Sequence, residues 1–150
     1  MIGRLPRGGR TLAATMLVGA ALLAACGATP RADIRLFSEH FEFLVSSDPS
    51  PPHAREPIIY TVTVLDRNTR QLVDNGEGQI YATSIDRVNK YDSFTPGREA
   101  GTYSARLSYT TAGDWALGMR FRPDSTKPLE KVEWTQTVRA ERPISERPAH

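Results

Sequence analysis

Beyond residue 25, the side chains able to hold a soft or borderline metal ion are few: Cys26, His40, His53, Met119 and His150. His40 and His53 flank the stretch Asp48-Pro49-Ser50-Pro51-Pro52, which can neither continue a helix nor donate to a ladder, so the turn could bring the two imidazoles together. A stable site draws on three or four ligands. Two histidines fall short of that, and solvated loop imidazoles are the expectation, with no metal assigned and His40 and His53 only as weak candidates. Met119 lies in an apolar alternation, where a thioether fills core space. Hard oxygens gather at Asp66, Asn68, Asp74, Asn75 and Glu77, but their order does not match a twelve-residue calcium loop, and Arg67 and Arg70 intrude. An acidic, solvated turn is expected there.

Nucleophilic catalysis needs a Ser, Thr or Cys held by an oriented base. The chain has no Gly-x-Ser-x-Gly elbow and no Gly-x-x-x-x-Gly-Lys phosphate loop, and nothing singles out one pair of carboxylates for sugar cleavage. The expectation is a non-enzyme with no catalytic residue and no cofactor.

Cys26 is the only cysteine, so no intrachain disulfide can form. Before it, Arg4, Arg7 and Arg10 stand without an acidic residue, and Leu12 to Ala25 is almost wholly Leu, Ala, Val, Met and Gly. A basic head, a short apolar run and small residues before a cut mark an export signal. The run is shorter than the ~20 apolar residues a membrane-spanning helix needs. Leu23-Ala24-Ala25-Cys26 resembles the lipobox of bacterial lipoproteins, in which the cysteine thiol receives a diacylglyceryl group, later joined by a fatty acid such as palmitate. Acyl chains at ~0.8 kcal/mol per buried CH₂ give a durable anchor. Gly27 is not the aspartate that retains some lipoproteins at the inner membrane. The resemblance therefore implies an outer membrane facing the periplasm where the cell has one, and otherwise the outer face of the plasma membrane.

Removing the three signal arginines takes Lys+Arg from 19 to 16 against 17 Asp+Glu, so the mature chain is near neutral. The basic pI belongs to the precursor, and no stripe of Lys/Arg interleaved with aromatics remains to bind nucleic acid. The expected partners are the membrane, through the lipid on Cys26, and another envelope protein.

The remainder must fold around these residues by strands. Phe41, Phe43 and Val45 alternate with polar neighbours, as do Ile58, Tyr60, Val62 and Val64. β-branched residues on both faces of Ile58 to Asp66 favour a strand over a helix. Gly78 to Asp86 reads as a weaker strand, with Tyr81, Thr83 and Ile85 on a face expected to complete the core or else serve recognition. A short strand is expected near Tyr91. Tyr103, Ala105, Leu107 and Tyr109 share a face, as do Trp115, Leu117, Met119 and Phe121; the short turn through Thr110 to Gly113 predicts an antiparallel hairpin. Lys131 to Arg139 repeats the pattern with Val132, Trp134 and Val138 inward. The fold class predicted is all-β, an immunoglobulin-like antiparallel β-sandwich of six to seven strands. Its expected organisation is a signal peptide over 1–25, a lipidated tether over 26–39, the sandwich over 40–139 and a flexible tail over 140–150.

Two stretches carry a family resemblance. Tyr60-Thr-Val-Thr-Val-Leu-Asp66 with its loop to Val73, and Gly101-Thr-Tyr103 followed by Ala112-Gly113-Asp-Trp115, resemble the YtkA-like group of small bacterial β-sandwich domains, which are related to FixH-like proteins. The resemblance covers about Phe41 to Phe121. It implies a sandwich carried on a lipoprotein or membrane-anchored module, with some members in copper or cytochrome-oxidase contexts. The function expected is a lipid-anchored envelope module with a binding or accessory role and no catalysis; an accessory copper carrier of the periplasm is the alternative, and a small envelope hydrolase a remote one. This chain departs where relatives carry methionine-rich segments: Ser84 to Asp92 has no Met, His or Cys.

Overall fold

The computed structural model describes residues 33–146. The signal segment, Cys26 and His150 lie outside the described residues. Among the described residues nine strands follow one another: β1 (Ile34–Phe37), β2 (Phe41–Asp48), β3 (Pro57–Asp66), β4 (Glu77–Ser84), β5 (Asn89–Ser93), β6 (Thr95–Pro96), β7 (Thr102–Ser108), β8 (Gly113–Arg122) and β9 (Glu130–Val138). They form two antiparallel sheets, ordered β1-β2-β3-β7-β6 and β5-β4-β8-β9. The architecture is the expected all-β sandwich, with short strands β1 and β6 raising the count above seven.

The alternation seen in sequence builds the core directly. Phe43, Ile58, Tyr60, Val62, Val64, Ile80, Tyr103, Trp115, Met119 and Phe121 are all essentially inaccessible. Phe121 sits at the centre of an aromatic cluster, meeting Phe41, Phe43 and Tyr103 edge-on with centroids 5.5, 5.9 and 5.2 Å away. Burying such rings supplies a large share of the apolar stabilisation of a small domain.

Four expectations need correction. β7 and β8 are not a hairpin: β7 pairs with β3 and β6, whereas β8 pairs with β4 and β9. The Tyr109 carbonyl accepts from Arg55 N, and the Trp115 indole N–H donates to Thr111 O, so the turn arches from one sheet to the other. Each stripe thus faces the other across the core instead of lying beside it. The phase of β4 is also reversed. Ile80, Ala82 and Ser84 are buried, while Tyr81 and Thr83 lie on the outer face and Ile85 is 92% exposed. The tether ends earlier than expected, since Ile34–Phe37 adds to β2 as an edge strand. At the other end the chain stays docked as far as Arg142, which pairs with the buried Glu56, and Arg55 reaches Glu141 at 3.2 Å.

Candidate functional site

Antiparallel register sorts the loops between the two ends of the sandwich. One end gathers the start of β2, the end of β3, the start of β4, the end of β8 and the start of β9. There a groove of ≈ 590 Å³ opens between the sheets, floored by Phe41, Leu72, Val73, Pro123 and Pro128 and rimmed by His40, Asp66, Lys127 and Glu130. An apolar cleft of this size with a few polar groups at its mouth is what small binding sites look like.

His40 enters the groove's rim because it immediately precedes β2, and Glu130 because it opens β9. These residues stand 90 positions apart in sequence, and the fold places His40 Nδ1 2.6 Å from Glu130 Oε1, while His40 N donates to Glu130 Oε2 at 3.1 Å. The carboxylate can only accept, so Nδ1 carries the proton and Nε2 is left for another partner. The hydrogen bond to Glu130 raises the His40 pKa above its ordinary value, with Glu130, Glu39 and Asp66 adding attraction for the charged ring and partial burial opposing them. Burial would push Glu130 up, but hydrogen bonds from Ser38 and from the His40 backbone and ring outweigh it and hold the carboxyl below its usual range. Asp66 is likewise held down, by the Thr69 N–H first and, against a small burial penalty, by the Asn68 N–H as well.

His53 lies at the opposite end. β2 separates it from His40, and its eight residues at ~3.3 Å each put roughly 26 Å between the two ends. His53 forms a parallel bridge with Arg139, and its Nδ1 is buried without a partner. The structure does not bring the two imidazoles together. Nor do the oxygens of the Asp66–Glu77 loop converge: Asp66 caps its own turn, Asp74 accepts from Gly101 N, and Glu77 pairs with Arg122. Met119 is wholly buried. Among the described residues no group of three or more His, Cys, Asp or Glu could hold a metal ion.

Sequence reasoning missed two features. One is Glu130, which no local pattern connects to His40. The other is Glu42, on the outer face of β2 yet only 1% exposed, where Arg35 and Arg70 close over it from β1 and from the β3–β4 loop. A buried carboxylate of this kind requires such partners.

No family model matches the chain, and no curated protein does. Among solved structures, it is similar to a copper-bound variant of FetP from uropathogenic Escherichia coli strain F11, with a TM-score of 0.52 and 8% identity over 77% of this chain and 96% of that one. At that identity the likeness concerns the fold.

Proposed function

We propose that this chain is a lipid-anchored, non-catalytic accessory protein of the cell envelope that handles copper as cargo. The observation that carries the reading is the His40–Glu130 pair. A carboxylate on Nδ1 fixes the ring, raises its basicity and leaves Nε2 for a metal ion, which is how metal-bound histidines are commonly oriented. The choice of copper draws support from the fold shared with a copper-bound protein and from the YtkA-like stretches around Tyr60 and Trp115. One oriented imidazole, with no three-ligand cluster among the described residues, suits an ion in transit better than a resident cofactor. Leu23 to Cys26 supports lipid attachment at Cys26, which would hold the sandwich at the outer membrane, facing the periplasm, or at the outer face of a single membrane.

A second reading, a docking module for another envelope protein, is favoured by the apolar floor of the same groove, where Leu72 remains 47% exposed. Titrating Cu(I) and Cu(II) into the chain carrying Cys26→Ser, which removes the thiol as a competing ligand, separates the two. The copper reading expects saturable binding that His40→Ala abolishes and His53→Ala preserves; absence of binding leaves the docking module.

A further inference from the structure

The outer face of the β5-β4-β8-β9 sheet carries a second surface, apart from the groove. Tyr81 of β4 and Tyr91 of β5 are direct cross-strand partners, so their side chains leave the sheet side by side. Tyr81 does not stand off the sheet. Its hydroxyl lies over Gly118 of β8, where any Cβ would overlap it, and reaches on to Glu133 Oε1 of β9 at 3.2 Å. The phenol is laid across three strands, flanked by the Arg120 guanidinium at 5.7 Å and the Lys131 ammonium at 6.0 Å from its centroid. Tyr91 beside it is 76% exposed. A shallow depression of ≈ 300 Å³ runs between them, edged by Gln79, Thr83, Asn89 and Lys90, with Thr83 Oγ1 donating to Asn89 Oδ1 at 2.8 Å.

A recumbent aromatic ring next to an exposed one, surrounded by hydroxyl, amide and charged groups, matches the chemistry of a pyranose. The C–H face of the sugar packs on the ring, and its hydroxyls exchange hydrogen bonds with the polar rim. Arg120 and Lys131 stand against the single carboxylate of Glu133, which Lys131 meets at 2.7 Å, so the guanidinium of Arg120 is left in excess and the local field favours an anion. We propose that this face binds a polysaccharide bearing carboxylates, its sugar rings stacked on Tyr81 and Tyr91 and its carboxylates held by Arg120 and Lys131. This surface involves neither His40 nor the groove, so it stands or falls independently of copper handling.

Co-sedimentation of the full chain in mild detergent with purified peptidoglycan sacculi, a glycan whose carboxylates are carried on its stem peptides, and with chitin, a neutral glycan, tests the assignment. The chain is expected to pellet with sacculi and not with chitin, and soluble polygalacturonate is expected to release it. Tyr91→Ala, at an exposed position, and Gly118→Ala, which lifts the Tyr81 ring off the sheet, should each weaken retention about tenfold. An Arg120→Gln, Lys131→Gln double variant should erase the preference for sacculi. Absence of pelleting, equal retention on chitin, failure of polygalacturonate to compete, or unchanged retention of the folded Tyr91→Ala variant would each overturn the proposal.

Discussion

The rings of Tyr109 and Trp115 meet edge to face in the core, with centroids 5.0 Å apart and planes at 62°. Tyr109 follows β7 in one sheet and Trp115 belongs to β8 in the other, so this contact ties the two layers together at the arch between them. Trp115→Ala removes the largest fully buried side chain and is expected to cost about 3–5 kcal/mol, read as a lower midpoint in denaturant unfolding followed by far-ultraviolet circular dichroism.

Next to this contact, the Tyr60 and Tyr109 hydroxyls hydrogen-bond to each other at 2.5 Å in a fully buried site. Tyr60→Phe leaves the Tyr109 hydroxyl without that partner and should cost about 1–3 kcal/mol. Adding Tyr109→Phe removes the orphaned group, so the double variant should lose little more than the single one, and a double-mutant cycle checks it. Burial pushes the Tyr60 pKa up to about 12, against the lowering effect of its bond to Tyr109, and burial pushes Tyr109 up further still. A raised folded-state pKa stabilises the fold fully below the unfolded value of 10.0 and loses that contribution as pH climbs through the folded one. Stability should therefore fall from about pH 10 upward, and ultraviolet titration should show Tyr60 silent until about 12.

His40 and Glu130 give a second pH dependence, with two opposite signs. The raised His40 pKa contributes stability that is present below 6.5 and lost as pH rises through the folded value. The lowered Glu130 pKa contributes stability present above 4.5 and lost as pH falls through its folded value. The pair is therefore most effective between those two limits. A proton-resonance titration of His40 should show a midpoint above 6.5 that Glu130→Gln returns toward it; a midpoint indifferent to Glu130→Gln would contradict the pairing.

Gly101 combines a left-handed backbone, φ +68°, with Leu72 packed where a side chain would begin, 2.8 Å from an added Cβ. Gly113, at φ +117°, has open space around it. Substitution by Ala strains both, by about 1–3 kcal/mol for the backbone alone, but only at position 101 must Leu72 also move. Thermal unfolding should rank Gly101→Ala as the more damaging of the two.

Period-two alternation was enough to reveal β2, β3, β7, β8 and β9, because each buries one full face and polar residues mark the other. It could not reveal which strands pair. The arch through Tyr109 to Gly113 has the length of a hairpin turn, and the pairing of β7 with β3 and of β8 with β4 is what shows that the chain changes sheets. β4 misled for a related reason: Tyr81 and Ile85 outweigh Ala82 and Ser84 in apolar bulk, yet the small pair faces the crowded core and the large residues face outward. Ile34–Phe37 was hidden by its charged neighbours and its shortness. The groove was least legible of all, since His40 is visible as a lone imidazole but gains an oriented ring only from Glu130, brought in by β9. Pairs at such separation leave no local trace.

Copper handling through His40 is tested most directly by adding Cu(I) to isotopically labelled chain carrying Cys26→Ser and following backbone amide shifts. The account predicts stoichiometric changes at His40, Phe41, Asp66 and Glu130 on the rim and floor of the groove, with His53 and Arg139 at the far end unmoved. Unshifted spectra, or changes centred on His53, would contradict it.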